Sequence, residues 1–201
     1  YCLKTFFKCE AIDAVQIVAE DGWKDFIVDT CVDDGECSVD GIKKLKGFSK
    51  PGETRQLSIW NALEDVRKYA SEEDVVIIHD AARPLVSREL IVSVLETARI
   101  HEGAIPVLPM KDTVYFSEDG ERITSLLDRS RVCAGQAPEG FKLGKYYEAN
   151  ERLFPEEILK INGSTEPAIL AGMDVAMVPG DERNFKITTQ ADLERFMQII
   201  V

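Results

Sequence analysis

Strand-like and helix-like segments alternate along most of this chain of 201 residues. The most constraining segment is Val75–Ile78, which consists of four consecutive apolar, β-branched residues. A short run of this kind is typical of a parallel strand that is covered on both faces. We therefore predict a layered α/β domain in which this run is a central strand of a mostly parallel sheet.

Further segments predict the elements around this strand. Apolar runs favour strands at residues 15–19, 104–108 and 175–178, and the NFKITT segment is interpreted as a short strand at 184–189. Helical periodicity favours helices at 2–8, 21–33, 54–70, 87–100, 143–153, 167–173 and from 189 onward. Thr54, Ser87 and Thr189 are the expected N-caps of three of these helices. The length fits one domain covering residues 1–201.

Residues 112–134 interrupt the alternation. Two β-type segments, 113–116 and 123–127, flank a Glu118-Asp119-Gly120 turn, which predicts a β-hairpin. The hairpin is either a solvated extension or a β-arm that uses a second subunit as its partner surface, because two-stranded hairpins are marginally stable alone. We expect the arm, and hence a homodimer.

The net charge limits the classes of partner. Thirty-six acidic residues against 24 basic ones give a formal charge of −12, which argues against sequence-independent binding to nucleic acid. A few basic residues focused in one cleft still attract a small phosphorylated molecule. No apolar run approaches the ~18–20 residues of a membrane helix, so we expect no membrane partner.

The five cysteines contain no CxxC pair, so they predict neither a disulfide framework nor a zinc site. We expect a reducing, cytoplasmic location. The chain also lacks the GxGxxG, GxxxxGK[ST] and GxSxG motifs of dinucleotide binding, phosphate loops and serine hydrolysis. The cysteines are Cys2, Cys9, Cys31, Cys37 and Cys133.

The strongest local signal is the HDAARP motif directly after the Val75–Ile78 run. Open α/β sheets bind ligands at the carboxyl ends of their strands. Asp80 there can orient a sugar hydroxyl or a metal ion, Ala81 permits close approach of a ligand, and Arg83 can bind a phosphate through two hydrogen bonds. The motif would otherwise be an Asp80–Arg83 pair that only stabilises a turn.

Two weaker signals accompany this motif. Lys186 lies three residues before the expected cap Thr189, and a lysine beside a helix N-terminus favours a triphosphate. It is otherwise a solvated lysine. Gly52 and Ser58 flank the start of the 54–70 helix, where they could hold a base or ribose or form an ordinary helix start. Neither His79 nor His101 has a second ligand at metal-binding spacing, so we expect structural or exposed histidines.

Six ordered motifs resemble one family, the cytidylyltransferases that act on 2-C-methyl-D-erythritol 4-phosphate and on ribitol 5-phosphate. The resemblance spans residues 52–193. The motifs are GETRQLSIWNAL (52–63), IIHDAARP (77–84), GAIPVLPMKDTV (103–114), LLDRSRVCAGQAPEGF (126–141), GSTEPA (163–168) and NFKITTQADL (184–193).

The resemblance implies a nucleotidyltransferase-type, Rossmann-like three-layer sandwich, a homodimer, and CTP and Mg²⁺ as substrate and cofactor. It implies that Lys186 contacts the triphosphate, that Asp80 contacts the ribose or the metal ion, and that Arg83 contacts the acceptor phosphate. It also implies that Gly52 and Ser58 contact cytidine. Thr113 and Arg129 of the arm would complete the acceptor pocket of the neighbouring subunit, with Thr165 supporting that pocket in cis.

Two departures from the family pattern leave more than one function open. The family has a glycine-rich, basic loop after its first strand, which these residues do not contain, so we expect the domain to be N-terminally incomplete here. Ala137 and Glu166-Pro167 stand where methylerythritol enzymes usually carry Thr and Asp-Glu, so ribitol 5-phosphate is a rival acceptor. A non-catalytic dimerisation or regulatory module also fits these residues, as does a nucleotidyltransferase that uses another nucleotide or sugar phosphate.

Overall fold

The computed structural model describes residues 1–33 and 39–200, and Cys37 lies outside them. Its helices are α1 (Cys2–Lys8), α2 (Lys24–Asp33), α3 (Val39–Ile42), α4 (Arg55–Val66), α5 (Arg88–Ile100), α6 (Leu143–Glu151), α7 (Glu166–Leu170) and α8 (Gln190–Ile200). Its strands are β1 (Val15–Val18), β2 (Leu45–Ser49), β3 (Val75–Ile78), β4 (Gly103–Pro109), β5 (Val114–Phe116), β6 (Ser125–Leu127), β7 (Cys133–Gly135), β8 (Glu139–Lys142) and β9 (Val175–Pro179). The predicted α/β class is confirmed.

The three predicted helix caps are present. The Thr54 hydroxyl accepts a hydrogen bond from the backbone N–H of Leu57, and the Ser87 hydroxyl accepts one from Leu90. At the start of α8 the Thr189 hydroxyl accepts from the N–H of Asp192, whose carboxylate in turn accepts from the N–H of Thr189. These side chains satisfy N–H groups that a helix start leaves without partners.

The described sheets are mixed, so the prediction of a mostly parallel sheet with β3 at its centre is wrong. The larger sheet has the order β3-β8-β4-β7, and β9 also pairs with β4. Only the β4–β9 pair of this sheet is parallel, and β3 lies at one end. The apolar run predicted a strand correctly, but β-branched residues carry no information about the direction of the neighbouring strand.

Two further pairs of strands lie apart from this sheet. β1 and β2 form a parallel pair, and β5 and β6 form an antiparallel hairpin, as predicted for residues 112–134. The hairpin exposes Tyr115, Phe116 and Leu126. Its function as an arm remains a prediction, as does the three-layer arrangement.

An aromatic core supports the end of the sheet that carries β3. Phe141 of β8 stacks on Tyr146 of α6, with ring centroids 4.2 Å apart, and both residues are fully buried. The Tyr146 hydroxyl donates a hydrogen bond to the carbonyl of Ser164 and accepts one from the buried amide of Gln56 in α4. This packing joins α4, α6, β8 and the segment before α7 into one support for the carboxyl end of β3. Within the described residues, no helix is both long and apolar enough to cross a bilayer.

Candidate active site

Three basic side chains surround one carboxylate just beyond β3. Asp80 Oδ1 accepts a hydrogen bond from Arg55 Nη2 at 2.6 Å, and Asp80 Oδ2 lies 3.2 Å from Lys186 Nζ. Arg83 Nε lies 3.8 Å from the same Oδ2. Asp80, Arg83 and Lys186, to which the resemblance gives phosphate, ribose and metal contacts, therefore lie together. Three positive charges against one negative charge favour the binding of an anion.

Hydrogen bonds to backbone carbonyl groups bring the distant residues of this cluster together. The N–H of Ile187 donates to the carbonyl of Ala82 at 2.8 Å, and Arg83 Nη1 donates to the carbonyl of Asn184 at 2.7 Å. Residues 184–188 form no strand, so the strand predicted at 184–189 is wrong. The segment is held by the Asp80–Arg83 turn and by the loop before β8, without strand pairing, and this places Lys186 over Asp80.

Arg55 is the residue of this cluster that the sequence did not predict. It is the first residue of α4, directly after the cap Thr54, and both its Nε and its Nη2 donate to Asp80 Oδ1. The available signal was a basic residue inside the GETRQLS motif. That signal was not sufficient, because an arginine in a first helical turn is usually solvated.

Asp80 stays ionised in this setting. Burial raises its pKa, but the positive charges and hydrogen bonds of Arg55 and Lys186 outweigh burial and lower the pKa below the ordinary value. Burial also lowers the pKa of Arg83, which nevertheless remains a cation. The cluster therefore keeps its excess of positive charge at neutral pH.

His79 supports the turn from the interior. Its Nε2 donates to the carbonyl of Arg83 at 3.0 Å, and its ring contacts Phe6, with centroids 5.1 Å apart. Burial lowers the pKa of His79 to about 4, so the imidazole is neutral at physiological pH. This histidine has a structural position, as the sequence suggested.

The buried neutral state of His79 predicts a pH dependence of stability. Because the folded pKa of about 4 lies below the ordinary 6.5, the unfolded chain binds more protons between these values. The contribution of His79 to the free energy of unfolding is therefore complete above pH 6.5 and is lost as the pH falls towards 4. We expect His79→Gln to flatten this dependence in urea titrations. The same slope in wild type and variant would contradict the assignment, and His101→Gln is the control.

The predicted cytidine-contacting residues lie against each other at the start of α4. The N–H of Gly52 donates to Ser58 Oγ at 3.0 Å, and Ser58 Oγ donates to the carbonyl of Thr54. A Cβ atom at position 52 would lie 2.4 Å from Leu57 Cβ and 2.7 Å from the Leu57 carbonyl carbon. Only glycine allows the loop to approach α4 this closely.

Polar side chains before and at the start of β8 lie beside this cluster. The Gln136 amide donates to the carbonyls of Asp181 and Asn184, and the Asn184 amide donates to the carbonyl of Ala137. At the end of this segment, Glu139 is buried and accepts a hydrogen bond from Thr165 Oγ1 at 2.8 Å. Thr165, a predicted pocket residue, is therefore directed towards β8.

The remaining predicted site residues are exposed. Ala81 lies in the turn after β3, and Thr113 lies at the start of the hairpin. Arg129 Nη1 donates to the carbonyl of Lys111 at 2.8 Å. In the described part of the chain, neither Thr113 nor Arg129 has a hydrogen bond or ion pair with Asp80, Arg83 or Lys186.

The donor set accommodates a divalent cation in one mode only. Among residues 1–33 and 39–200, no group of three His, Cys, Asp or Glu side chains could hold a metal ion. Mg²⁺ in phosphoryl-transfer sites is commonly held by one or two carboxylates together with substrate phosphates and water. Asp80 Oδ1 already contacts Arg55 and Oδ2 contacts Lys186, so phosphates and water would supply most ligands of such an ion, with Asp80 beside it.

Comparison with known sequences gives one consistent family. A family model described as 2-C-methyl-D-erythritol 4-phosphate cytidylyltransferase matches residues 4–201. The enzyme of that name from Rubrobacter xylanophilus is 42% identical over 161 residues, which are 76% of this chain and 65% of that protein. The one from Clostridium beijerinckii is 31% identical over the whole chain and 85% of its own length. A ribitol-5-phosphate cytidylyltransferase from Streptococcus agalactiae serotype V is 28% identical over 98% of the chain and 79% of its length.

Solved structures agree with this result. The 2-C-methyl-D-erythritol 4-phosphate cytidylyltransferase of Thermus thermophilus is 33% identical, with a TM-score of 0.65 over 78% of this chain and 73% of that one. The 4-diphosphocytidyl-2C-methyl-D-erythritol synthase of Anaerococcus prevotii is 25% identical, with a TM-score of 0.81 over 98% of this chain and 83% of that one. The chain therefore has the fold of these enzymes.

Proposed function

Because the chain belongs to the 2-C-methyl-D-erythritol 4-phosphate cytidylyltransferase family, we propose that it transfers a cytidylyl group from CTP to a small polyol phosphate. The observation that carries the proposal is the cluster in which Asp80 contacts Arg55 and Lys186 beside Arg83. Relatives named for 2-C-methyl-D-erythritol 4-phosphate and for ribitol 5-phosphate both match, and these two compounds are the proposed acceptors.

The reaction is a substitution at the α-phosphorus of CTP. An oxygen of the acceptor phosphate forms the new bond to this phosphorus, the bond to the bridging oxygen breaks, and pyrophosphate leaves with the electron pair. Such transfers need orientation and charge stabilisation more than covalent help from the protein. Lys186 binds the triphosphate, Arg83 binds the acceptor phosphate, and Asp80 keeps both side chains directed at one point.

The loop before α4 forms the cytidine side of the site. Gly52 and Ser58 hold the loop before α4 in a closed arrangement beside Arg55, and this loop contacts the nucleoside. Ala81, exposed in the turn after β3, leaves room for a ligand to approach the backbone. Mg²⁺ would be held largely by phosphate oxygens and water, with Asp80 nearby, and the ion would neutralise charge on the triphosphate.

In the proposed enzyme, the β5–β6 hairpin is a β-arm that contacts a second subunit. Its apolar residues Tyr115, Phe116 and Leu126 are exposed, and an exposed apolar hairpin favours contact with a second copy of the chain. In such a homodimer Thr113 and Arg129 would enter the acceptor pocket of the neighbouring subunit. This arrangement accounts for their separation from the Asp80 cluster within one chain.

The proposal is tested by the release of pyrophosphate. Purified protein with CTP and Mg²⁺ is expected to release pyrophosphate only when 2-C-methyl-D-erythritol 4-phosphate or ribitol 5-phosphate is added. UTP, GTP and ATP serve as competing nucleotides. No release with either acceptor would contradict cytidylyl transfer, and faster release with another nucleotide would contradict the choice of CTP.

Substitution of Arg129 tests the arm. We expect Arg129→Ala to raise the acceptor KM about tenfold and to leave CTP binding unchanged, because a hydrogen bond to a charged group contributes about 1.5–3 kcal/mol. Steady-state kinetics and CTP titration measure the two effects. Arg122→Ala, which changes an arginine near the tip of the hairpin, is the matched control.

Mixed dimers test whether Arg129 enters the acceptor pocket of the neighbouring subunit. Arg129→Ala and Lys186→Met chains, combined after unfolding and refolding, are expected to be more active than the mean of the two separate variants at acceptor concentrations below the wild-type KM, since each mixed dimer has one composite site without a substitution. Loss of CTP binding in Arg129→Ala, or no gain on mixing, would argue against crossing arms.

A further inference from the structure

The carboxyl group of Glu139 has no part in the reaction described above, although its position is unusual. It is the first residue of β8, and only 8% of its surface is exposed. Acidic side chains are seldom buried to this extent unless they are paired. Burial raises the pKa of Glu139.

The sheet register directs Glu139 towards the candidate active site. Glu139 lies opposite Ile78 in the antiparallel β3–β8 pair, two residues before Asp80. The negative charge of Glu139 also acts on Arg83, and the charges of Arg55 and Asp80 act on Glu139. Glu139 is therefore part of the same edge of the sheet as the basic cluster.

The hydroxyl groups next to Glu139 complete a polar wall. Thr165 Oγ1 donates to Glu139 Oε2, so one carboxyl oxygen is held in a defined direction. Ser164 Oγ beside it is also buried, with the residue only 1% exposed, and its hydroxyl acts on the same carboxyl group and favours the charged form. These two hydroxyl groups occupy only part of the acceptor capacity of a carboxylate, so further acceptor sites remain for a hydroxyl group of a ligand.

We propose that Glu139 is a specificity-determining residue that accepts hydrogen bonds from the hydroxyl groups of the acceptor polyol. A carboxylate repels the acceptor phosphate, which belongs with Arg83, but it is a strong acceptor for neutral hydroxyl donors. Glu139 therefore binds the hydroxyl groups of the polyol chain, while the basic cluster binds the phosphate. This inference rests on the proposed function only in so far as that function includes the binding of a polyol phosphate, and it does not depend on the transfer step.

The test compares acceptors that share a phosphate ester but differ in hydroxylation. Calorimetric titrations with the α,β-methylene analogue of CTP bound give the Kd values of ribitol 5-phosphate, 2-C-methyl-D-erythritol 4-phosphate and glycerol 3-phosphate. In Glu139→Gln one acceptor oxygen becomes an N–H₂ donor, while the other oxygen still accepts from Thr165. The preference is the ratio of the glycerol 3-phosphate Kd to the Kd of whichever of the two longer polyol phosphates binds more tightly. We expect this ratio to fall about tenfold in Glu139→Gln, with the Kd of glycerol 3-phosphate unchanged.

Three outcomes would overturn the inference: an unchanged preference in Glu139→Gln, an equal loss of affinity for all acceptors, or a wild type that binds neither longer polyol phosphate. If the wild type shows the preference but releases no pyrophosphate, the proposed function fails and the inference stands. Glu157→Gln, on an exposed 3₁₀ helix, is the control. If Glu139→Gln does not fold, Thr165→Val, which removes the hydroxyl that directs the carboxyl group, is expected to give the same fall in preference.

Discussion

Replacement of Lys186 by methionine is expected to lower kcat by about 100- to 1000-fold and to weaken CTP binding. Methionine keeps most of the length of the side chain and removes its charge. Removal of one group that stabilises developing charge in a transition state typically costs about 10²–10³ in kcat. Lys186 Nζ lies 3.2 Å from Asp80 and is partly exposed, so the ammonium group remains accessible to a triphosphate.

The folded state should tolerate this change. Asp80 keeps its contact with Arg55 at 2.6 Å, so the carboxylate does not lose all its partners, and thermal unfolding should change little. Lys68→Met is the matched control, because Lys68 also pairs with an aspartate but lies in the turn after α4. If Lys186→Met has the kcat and CTP affinity of the wild type, Lys186 is not part of the active site.

The site residues that could be predicted are those whose local sequence already restricts them. Val75–Ile78 predicted a strand because four β-branched apolar residues favour little else, and the motif after it placed Asp80 and Arg83 at the strand end. Thr54 and Ser87 predicted helix starts, because their side chains satisfy N–H groups within the next three residues. Such information is local, so one sequence contains it.

The remaining features depend on contacts between distant segments. β3 pairs with β8, which follows the hairpin, and no local pattern encodes that pairing or its antiparallel direction. Arg55 and Asp80 are 25 positions apart in the sequence, and only the fold makes them partners. The role proposed for Glu139 also depends on this pairing, since its position opposite Ile78 brings it to the active-site edge.

Addition of one methyl group at Gly52 is expected to raise the CTP KM about 100-fold without removing any group that contacts the nucleotide. A Cβ atom there would lie 2.7 Å from the Leu57 carbonyl carbon and 2.9 Å from the Ser58 nitrogen. These are backbone atoms of α4, which cannot move aside as a flexible side chain can. Overpacking of this kind typically costs about 1–3 kcal/mol, and the upper part of that range corresponds to about 100-fold.

In Gly52→Ala the loop before α4 that contains residue 52, here called the Gly52 loop, must therefore separate from α4. This breaks the hydrogen bond from the N–H of residue 52 to Ser58 Oγ. Because this bond keeps the loop beside Arg55, the loss should affect CTP more than the acceptor. Gly22→Ala is the matched control, since a Cβ at position 22 has no neighbour within 4 Å. CTP titration and steady-state kinetics measure both variants. Equal CTP affinity in Gly52→Ala and wild type would show that the Gly52 loop is not part of the nucleoside site. A tenfold rise in the KM values of both CTP and the acceptor would indicate a general disturbance of α4.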